Sequence, residues 1–518
     1  MLCAILGLYL LTRLPALKSL PVFCDEAIYI RWSQRAFLEG KTLISLLDGK
    51  PPLHPWAMMP FVAFIKDPLI AGRLLSVISG GFSTWGIYLL GRELKSERVG
   101  LVAALLYVIC PFALWYDRLA LAEGMLLTFC IFAVYFAAMA ALRVNALYLI
   151  GTCACTTLAL YTKETALLLF PVVPFAYLLR DPRQKGLEKS QPVLRWCVAA
   201  AACLLVSYGL YSLLRLSPDY HFVKELSHLR TFPISLLWKS PFAVFPRNSR
   251  ALFRILFVYM TPMFFLTCFA GMAYGLARHW RASWFLLIWF AVFGVVECFI
   301  AVFHFTRFFL VLLPPLLLSG AYGIADAVAF SASAERHREE PTFMAVTTAV
   351  ILLLVTIAIP VGVQMTRIVA DPSGASLPYE DRDQFVRGWP AGWGIDRTVS
   401  FLKEAAVDRQ IVVGAVGAHR TASASMPADA LLIYLYDNNN IDIVPLPDSN
   451  PRFPVEIAYV DRGVDIYMVV NGVRDIPQGW PLTVIEKYPK DGNLDLYMYL
   501  TQFFPEGRRM PGRVQIPP

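Results

Sequence analysis

Two adjacent acids, Asp25 and Glu26, directly follow the first apolar segment of the chain. Two neighbouring carboxylates at the mouth of a membrane span are costly unless they are solvated, paired or used in a reaction. A carboxylate at such a place can act as a general base toward the hydroxyl or amine of an acceptor. This pair is therefore the first position at which the sequence predicts chemistry.

Other acids and bases come from separate loops and fall on the same predicted face of the membrane. They are Lys50 and His54 in the first long loop, Asp117 and Arg118 in a tight turn, Glu123 after that turn, Lys163 between two apolar segments, and His304 and Arg307 at the start of another. Lysine and arginine can bind a phosphate diester and stabilise a leaving phosphate. Carboxylates beside such cations suit the transfer of a sugar from a polyprenyl phosphate, with the lipid phosphate as leaving group.

The composition indicates a membrane protein. Of 518 residues, 57% are hydrophobic and only 16% are charged, whereas soluble domains carry about 25% charged residues. We predict a transmembrane domain over residues 1–368 and a soluble α/β domain over 369–518. The net charge of +8 is expected to orient the spans and to contact membrane lipid; a nucleic-acid partner is not expected.

Spans need about 20 apolar residues, and the sequence contains eleven candidates. They are 2–22, 71–91, 98–115, 120–141, 145–161, 165–180, 194–214, 255–276, 282–302, 307–329 and 342–367. Basic residues concentrate in every second loop, which predicts that the C-terminal domain lies outside the cytoplasm. We expect a multi-pass protein of the plasma (inner) membrane. Its first span has no cleavage site and is expected to be retained, and a start further upstream is left open.

Local patterns predict the elements that position the polar residues. Ile28, Trp32 and Ala36 recur at every fourth residue, which predicts a helix lying in the membrane interface. In the C-terminal domain, residues 397–406 have helical spacing. Strands are predicted at 411–413, 431–435, 441–444, 465–470 and 494–500.

The chain resembles the polyprenyl-phosphate-dependent glycosyltransferases of the GT-C class, in particular glycosyltransferase family 39 and the aminoarabinose transferase of lipid A. The matching segments are Asp25-Glu26 with Tyr29, Lys50-Pro51-Pro52-Leu53, Arg118 to Glu123, Lys163, Arg307 to Pro314, and Trp389-Pro390-Ala391-Gly392-Trp393-Gly394. The resemblance covers most of residues 1–330. It implies a GT-C fold and a bacterial enzyme that moves a sugar from a polyprenyl phosphate to a lipid, glycan or protein acceptor.

The resemblance also implies roles for individual residues. Asp25 would be the catalytic base, and Glu26 would support donor or acceptor binding. The donor phosphate would be held by Lys50 together with Arg307 or Lys163, and we add Arg118 as a further candidate. The second acidic site falls on Asp117 or Glu123, and Tyr29, His54 and His304 would line the cavity.

Each of these assignments has a simpler alternative. Asp25 could cap the interfacial helix at its N-terminus, and Asp117 with Arg118 could be an ion pair at the membrane edge. His54, His221 and His304 could hold a divalent metal ion with Asp25 or Glu26, but they lack the spacing of metal ligands, so no cofactor is assigned. The Trp389 segment has the residue types of a packed turn.

Two other classes of protein compete with the enzyme. A lipid-linked sugar flippase or transporter would place charges near the bilayer midplane on broken helices. A cell-envelope assembly protein would have no need of an acid-base cluster. The sequence does not determine the sugar, the acceptor or the prenyl length.

Overall fold

The structure is a computed structural model of the chain. It describes residues 1–143, 145–180, 192–230, 239–240, 242–278, 280–302, 305–336, 340–417, 426–447, 464–476 and 479–503. Helices fill the described part up to Ala370, and a five-stranded sheet follows them.

The described residues of the first half of the chain form mostly α-helices joined by turns and loops. They are α1 Leu2–Arg13, α2 Cys24–Leu38, α3 Leu53–Phe64, α4 Pro68–Leu94, α5 Glu97–Ile109, α6 Pro111–Tyr116, α7 Ala122–Arg143, α8 Ala146–Thr162, α9 Leu169–Val172, α10 Pro192–Ser212 and α11 His221–Arg230. Short 3-10 helices lie at Ile44–Asp48, Glu164–Leu168, Val173–Leu179, Leu213–Leu216 and Pro218–Tyr220.

The second half continues with helices and ends in the sheet. The α-helices are α12 Phe245–Met260, α13 Pro262–Ala277, α14 Arg281–Ile300, α15 Leu313–Arg336, α16 Glu340–Ala370, α17 Tyr379–Arg382, α18 Ile395–Ala405 and α19 Ala428–Leu435. Short helices of other types lie at Thr306–Leu312, Pro372–Gly374 and Asp383–Arg387. The strands are β1 Ile411–Gly417, β2 Ile441–Pro447, β3 Asp465–Val473, β4 Leu482–Lys490 and β5 Asn493–Phe503.

The membrane-spanning helices match the predicted segments only in part. Among the described residues, six helices are long and apolar enough to cross a membrane, and α12 with α13 makes a seventh candidate that is bent by 114°. The predicted spans 2–22, 145–161 and 165–180 contain shorter helices. The predicted span 98–115 is divided between α5 and α6, because Pro111 has no N–H to continue the first helix. Apolar length in the sequence therefore overestimated the number of full-length helices.

The C-terminal region, from Asp371 onward, is built on one mixed sheet with the strand order β2-β1-β3-β5-β4. Strand β1 pairs in parallel with β2 and β3, whereas β5 pairs antiparallel with β3 and β4. The central strands β1 and β3 are buried along most of their length. This arrangement agrees with the predicted α/β class.

Two details of the predicted sheet are wrong or incomplete. The predicted strand 431–435 is part of α19, since a short buried apolar run fits a helix as well as a strand. Strand β4 was not predicted because its residues alternate irregularly between half-buried and exposed positions at the sheet edge. Helix α18 and the other four strands coincide with predicted segments.

Candidate active site

Asp25 lies in the first turn of helix α2, but it is not the N-cap residue of that helix. The helix begins at Cys24, and Phe23 is its N-cap residue. The backbone N–H of Phe23 donates to Glu26 Oε2 at 3.0 Å, so Glu26 satisfies the free donor at the helix start. The interpretation of Asp25 as an N-cap is therefore wrong, and its carboxylate remains available for other partners.

Four predicted site residues form one continuous chain of ion pairs. Arg307 Nη2 lies 2.7 Å from Asp25 Oδ2, and Arg307 Nε lies 3.3 Å from Glu123 Oε1. Lys163 Nζ lies 2.6 Å from the same Glu123 oxygen. We call Asp25, Arg307, Glu123 and Lys163 the ion-pair chain; it joins residues that are up to 282 positions apart in sequence.

The members of the ion-pair chain all lie at the ends of helical elements. Asp25 and Glu123 occupy the first turns of α2 and α7, where the helix dipole favours negative charge. Lys163 follows the last residue of α8, and Arg307 is the second residue of the helix Thr306–Leu312. Helix ends are rigid points from which side chains of different elements can converge.

Burial within the ion-pair chain is uneven. The Glu123 and Arg307 side chains are 4% and 9% exposed, whereas those of Asp25 and Lys163 are 21% and 22% exposed. Among the described residues, Glu123 Oε2 and Arg307 Nη1 have no hydrogen-bond partner. A buried charged atom without a partner costs free energy. A ligand could satisfy both atoms if one of its groups donated a hydrogen bond to Glu123 Oε2 and an anionic group accepted one from Arg307 Nη1.

Lys50 lies on a second, aromatic wall of the site. Its Nζ is 3.0 Å from Asp48 Oδ2 and lies 5.0 Å and 5.3 Å from the ring centroids of Tyr29 and Trp32. Tyr29 follows Asp25 by one helical turn and interacts electrostatically with Lys50, Glu123, Asp25 and Arg307. This wall therefore borders the ion-pair chain, as the sequence predicted for Lys50 and Tyr29.

His54 lies behind Tyr29 in a buried position. The two rings meet edge to face with centroids 4.9 Å apart, and neither His54 ring nitrogen has a hydrogen-bond partner among the described residues. Burial lowers the pKa of His54 to about 4, so the ring is neutral at pH 7. His54 therefore packs against Tyr29 as a neutral group.

Glu26 is separated from the ion-pair chain by its own partner. Arg73 binds it in a bidentate pair, with Nε–Oε1 and Nη2–Oε2 distances of 2.8 Å and 2.7 Å. The backbone N–H of Ala120 also donates to Glu26 Oε1 at 2.8 Å. Both side chains are buried, at 1% and 0% exposure. These bonds join the start of α2 to α4 and to the turn before α7, and the role of Glu26 in donor or acceptor binding stays a prediction.

Asp117 and Arg118 also have partners away from the ion-pair chain. Asp117 Oδ2 lies 3.3 Å from Arg13 Nε, and Tyr107 donates to its other oxygen at 3.0 Å. The Arg118 guanidinium donates to the backbone carbonyls of Arg13, Pro15 and Ala16. Of the two candidates for the second acidic site, Glu123 belongs to the ion-pair chain, and Arg118 holds the turn after α1.

The other two histidines that could hold a metal ion are His221 and His304. His304 lies outside the described residues. His221 places Nδ1 2.7 Å from the Pro218 carbonyl. In the part of the chain that the structure describes, no three His, Cys, Asp or Glu side chains come close enough to hold a metal ion.

Three charged residues near the site were not identified from the sequence. Arg73 and Glu297 lie within apolar helices, and Glu297 is 7% exposed and interacts electrostatically with Lys163. An ionisable residue inside a predicted span is a functional signal that could have identified both. Asp381 accepts a hydrogen bond from Tyr116 at 2.6 Å and another from Tyr259, and nothing in its local sequence indicates this.

Part of the chain matches a known protein family. Residues 49–209 match a family model described as dolichyl-phosphate-mannose-protein mannosyltransferase. This segment contains Lys50, Glu123 and Lys163. A comparison with curated protein sequences gives no significant match.

The chain is also similar in fold to solved structures. ArnT from Cupriavidus metallidurans bound to undecaprenyl phosphate is 14% identical over 96% of both chains, with a TM-score of 0.56. The archaeal oligosaccharyltransferase AglB from Archaeoglobus fulgidus, in complex with an inhibitory peptide and a dolichol-phosphate, is 11% identical. That match covers 91% of this chain and 69% of AglB, with a TM-score of 0.55.

The class of protein follows from these matches together with the apolar helices. The chain has the GT-C fold and is a multi-pass membrane protein. The predicted fold class and the predicted resemblance to polyprenyl-phosphate-dependent glycosyltransferases of the GT-C class are confirmed.

Proposed function

We propose that this protein is a membrane glycosyltransferase that moves one sugar from a polyprenyl phosphate to a lipid, glycan or protein acceptor. The observation that carries the proposal is the ion-pair chain, in which the partly exposed carboxylate of Asp25 pairs with Arg307, and Glu123 joins Arg307 to Lys163. The family match over residues 49–209 and the GT-C fold support it. A transporter would need its charges on broken helices near the midplane, whereas these charges lie at the ends of α2, α7 and α8.

Asp25 is the general base in this proposal. Its carboxylate takes the proton of the acceptor hydroxyl or amine as that atom attacks the anomeric carbon of the sugar. The bond between the anomeric carbon and the phosphate oxygen breaks, and its electron pair leaves with the lipid phosphate. One displacement inverts the anomeric configuration, whereas two successive displacements would retain it.

The cations stabilise the leaving phosphate. Lys163 and Arg307 already face the carboxylates of the ion-pair chain, and Lys50 lies on the neighbouring wall. When a phosphate binds, it competes with Asp25 and Glu123 for these cations. Asp25 then loses part of its pairing with Arg307, which makes the carboxylate more basic when a donor is present.

We place the site on the extracytoplasmic side of the plasma membrane, with residues 369–518 as an extracytoplasmic domain. The basic loops of the sequence support this orientation. This orientation can be tested in intact cells. Single cysteines are introduced at exposed loop positions and treated with a membrane-impermeant thiol reagent.

Transfer in vitro tests the function. The purified full chain would be supplied with a panel of polyprenyl-phosphate sugars and a membrane extract of acceptors, as wild type and as Asp25→Asn. Glu39→Gln is the matched control, because Glu39 follows the last residue of α2 and pairs with Arg35 and Lys41. We expect Asp25→Asn to lower kcat by about 10²- to 10⁴-fold and Glu39→Gln to leave it unchanged.

Two results would count against parts of this proposal. Transfer that survives Asp25→Asn would assign the base to another residue, with Glu123 as the first candidate. A product that keeps the anomeric configuration of the donor, determined by NMR, would contradict a single displacement.

A further inference from the structure

The segment that carries Asp25 is attached to the C-terminal region. The residues Trp389–Gly394 form a turn between the last apolar helix and α18, and we call them the Trp389 turn. The backbone N–H of Cys24 donates to the carbonyl of Pro390 at 3.0 Å. Phe23 and Ala391 form an antiparallel bridge. The two residues that precede Asp25 are thus held by backbone contacts.

The contact between these two segments is close. A side-chain carbon at Gly392 would lie 2.2 Å from the carbonyl oxygen of Val22, so only glycine fits there. The Phe23 ring also packs on Phe385, with centroids 4.4 Å apart. The start of α2 therefore has little freedom to move away from the Trp389 turn.

Strands of the sheet hold the Trp389 turn from its other side. Asn471, on β3, donates from Nδ2 to the carbonyl of Trp389 at 3.0 Å. Lys490, the last residue of β4, is buried and donates from Nζ to the carbonyl of Ala391. Gly472 has a φ of +78°, and its missing side chain leaves room for Trp389. Both donors act on the backbone of the residues that contact Phe23 and Cys24.

A second attachment fixes the body of the same helix. Gln34 Nε2 donates to the carbonyl of Ile433 in α19 at 2.9 Å, and Gln34 is buried. Helix α2 is thus joined to the C-terminal region both before Asp25 and about two turns after it. The sheet, the Trp389 turn and α2 form one connected support for the carboxylate.

We propose that the C-terminal region positions the catalytic base, with Lys490 and Asn471 as positioning residues that act on Asp25 through the Trp389 turn. This inference rests on the proposed role of Asp25. A base must be held within about 0.5 Å of its productive position, and a displacement of about 1 Å can lower a rate by about 100-fold. The sheet therefore serves the reaction without touching the substrate.

Variants that remove one donor each test the positioning. Lys490→Met and Asn471→Leu keep side-chain volume and lose the hydrogen bond, and Lys490→Arg keeps a donor. Lys487→Met is the matched control, since Lys487 is on the same strand and its Nζ lies 3.6 Å from the ring centroid of Tyr497. We expect kcat per folded molecule to fall at least about tenfold in the first two variants, with an unchanged donor KM. Lys490→Arg should recover part of kcat.

A second measurement needs no transfer reaction. A cysteine is introduced by Asp25→Cys, and its rate of labelling by a maleimide is measured. The labelling rate of the chain that keeps Asp25 is subtracted, because the chain has ten cysteines of its own. We expect Lys490→Met and Asn471→Leu each to change this rate by about tenfold or more, and Lys487→Met to leave it unchanged.

An unchanged labelling rate in both donor variants overturns the positioning, whatever their activity. A raised donor KM with a lowered thermal midpoint also overturns it, because that result would describe a general loss of stability. If wild type transfers no sugar while the labelling rate responds as expected, the proposed function fails and the attachment of α2 to the sheet stands.

Discussion

Asp25 and Glu26 are neighbours in sequence but belong to two different regions of the molecule. Asp25 is 21% exposed and shares Arg307 with Glu123. Glu26 is fully buried and bound by Arg73 and by two backbone N–H groups. Asp117 resembles Glu26, because its ion pair with Arg13 has both side chains at 0% exposure. We call Glu26–Arg73 and Asp117–Arg13 the closed pairs.

This comparison distinguishes acids that stabilise the fold from acids that can take part in a reaction. Both carboxylate oxygens of Glu26 and of Asp117 already accept hydrogen bonds from the protein. Each closed pair therefore joins separate segments of the chain. In the ion-pair chain, Asp25 and Glu123 share Arg307, Lys163 pairs with Glu123, and the other oxygen of Glu123 has no described donor. Burial and complete hydrogen bonding, more than position beside a span, separate a structural acid from a reactive one.

The largest expected effect is on the stability of a closed pair. Glu26→Gln or Arg73→Met leaves a buried charge without its counter-charge, which costs about 3–5 kcal/mol. We expect a lower thermal midpoint for each single variant and a partial recovery in the double variant, measured by thermal unfolding in detergent. If the single variants unfold at the same temperature as wild type, the distinction between the closed pairs and the ion-pair chain is wrong.

Glu123→Gln should affect the reaction more than the fold. Loss of its charge leaves Arg307 and Lys163 without the carboxylate that aligns them, and we expect kcat to fall by up to about 100-fold. Glu93→Gln is the matched control, because Glu93 also pairs with two cations, Arg92 and Arg143, away from the site. Equal losses in the two variants would contradict a special role for Glu123.

Lys163→Met should weaken donor binding. A hydrogen bond to a charged group contributes about 1.5–3 kcal/mol, so we expect the donor KM to rise about tenfold or more. Lys66→Met, at an exposed position between α3 and α4, is the control. Steady-state kinetics over a range of donor concentrations measures the effect, and an unchanged KM would place the phosphate elsewhere.

The smallest expected effect is on the pH dependence of stability. Burial lowers the pKa of Lys490 from 10.5 to about 7. Between these values the unfolded chain binds a proton that the folded chain does not, so the free energy of unfolding rises with pH in this window. The slope corresponds to at most about tenfold per pH unit in the folding equilibrium constant. Thermal unfolding of wild type and Lys490→Met from pH 7 to 10 measures it, and an equal slope in both would contradict the assignment.

The sequence predicted the members of the site better than their pairing. Asp25, Glu123, Lys163 and Arg307 were identified because acids and bases beside apolar runs are costly. Their loops meet only through long-range packing, which local patterns do not contain. The same limit explains why Asp117 and Glu123 could not be separated from the sequence.

The fold was predicted at the level of its class and less well in its details. Apolar length identified six long helices, but the breaks at Cys110–Pro111 and Thr261–Pro262, where proline has no N–H to continue a helix, were not predicted. The Trp389 segment was interpreted as a packed turn, and the structure confirms a turn there. Its contact with Phe23 joins residues more than 360 positions apart and has no signal in a single sequence.

The most direct test compares Asp25→Asn with Glu26→Gln in the same preparation, with sugar transfer and thermal unfolding measured on both proteins. Asp25→Asn is expected to abolish most transfer with an unchanged midpoint. Glu26→Gln is expected to lower the midpoint, while transfer per folded molecule falls far less. The opposite pattern, with a stable and inactive Glu26→Gln protein beside an active Asp25→Asn protein, would contradict the assignment of the base.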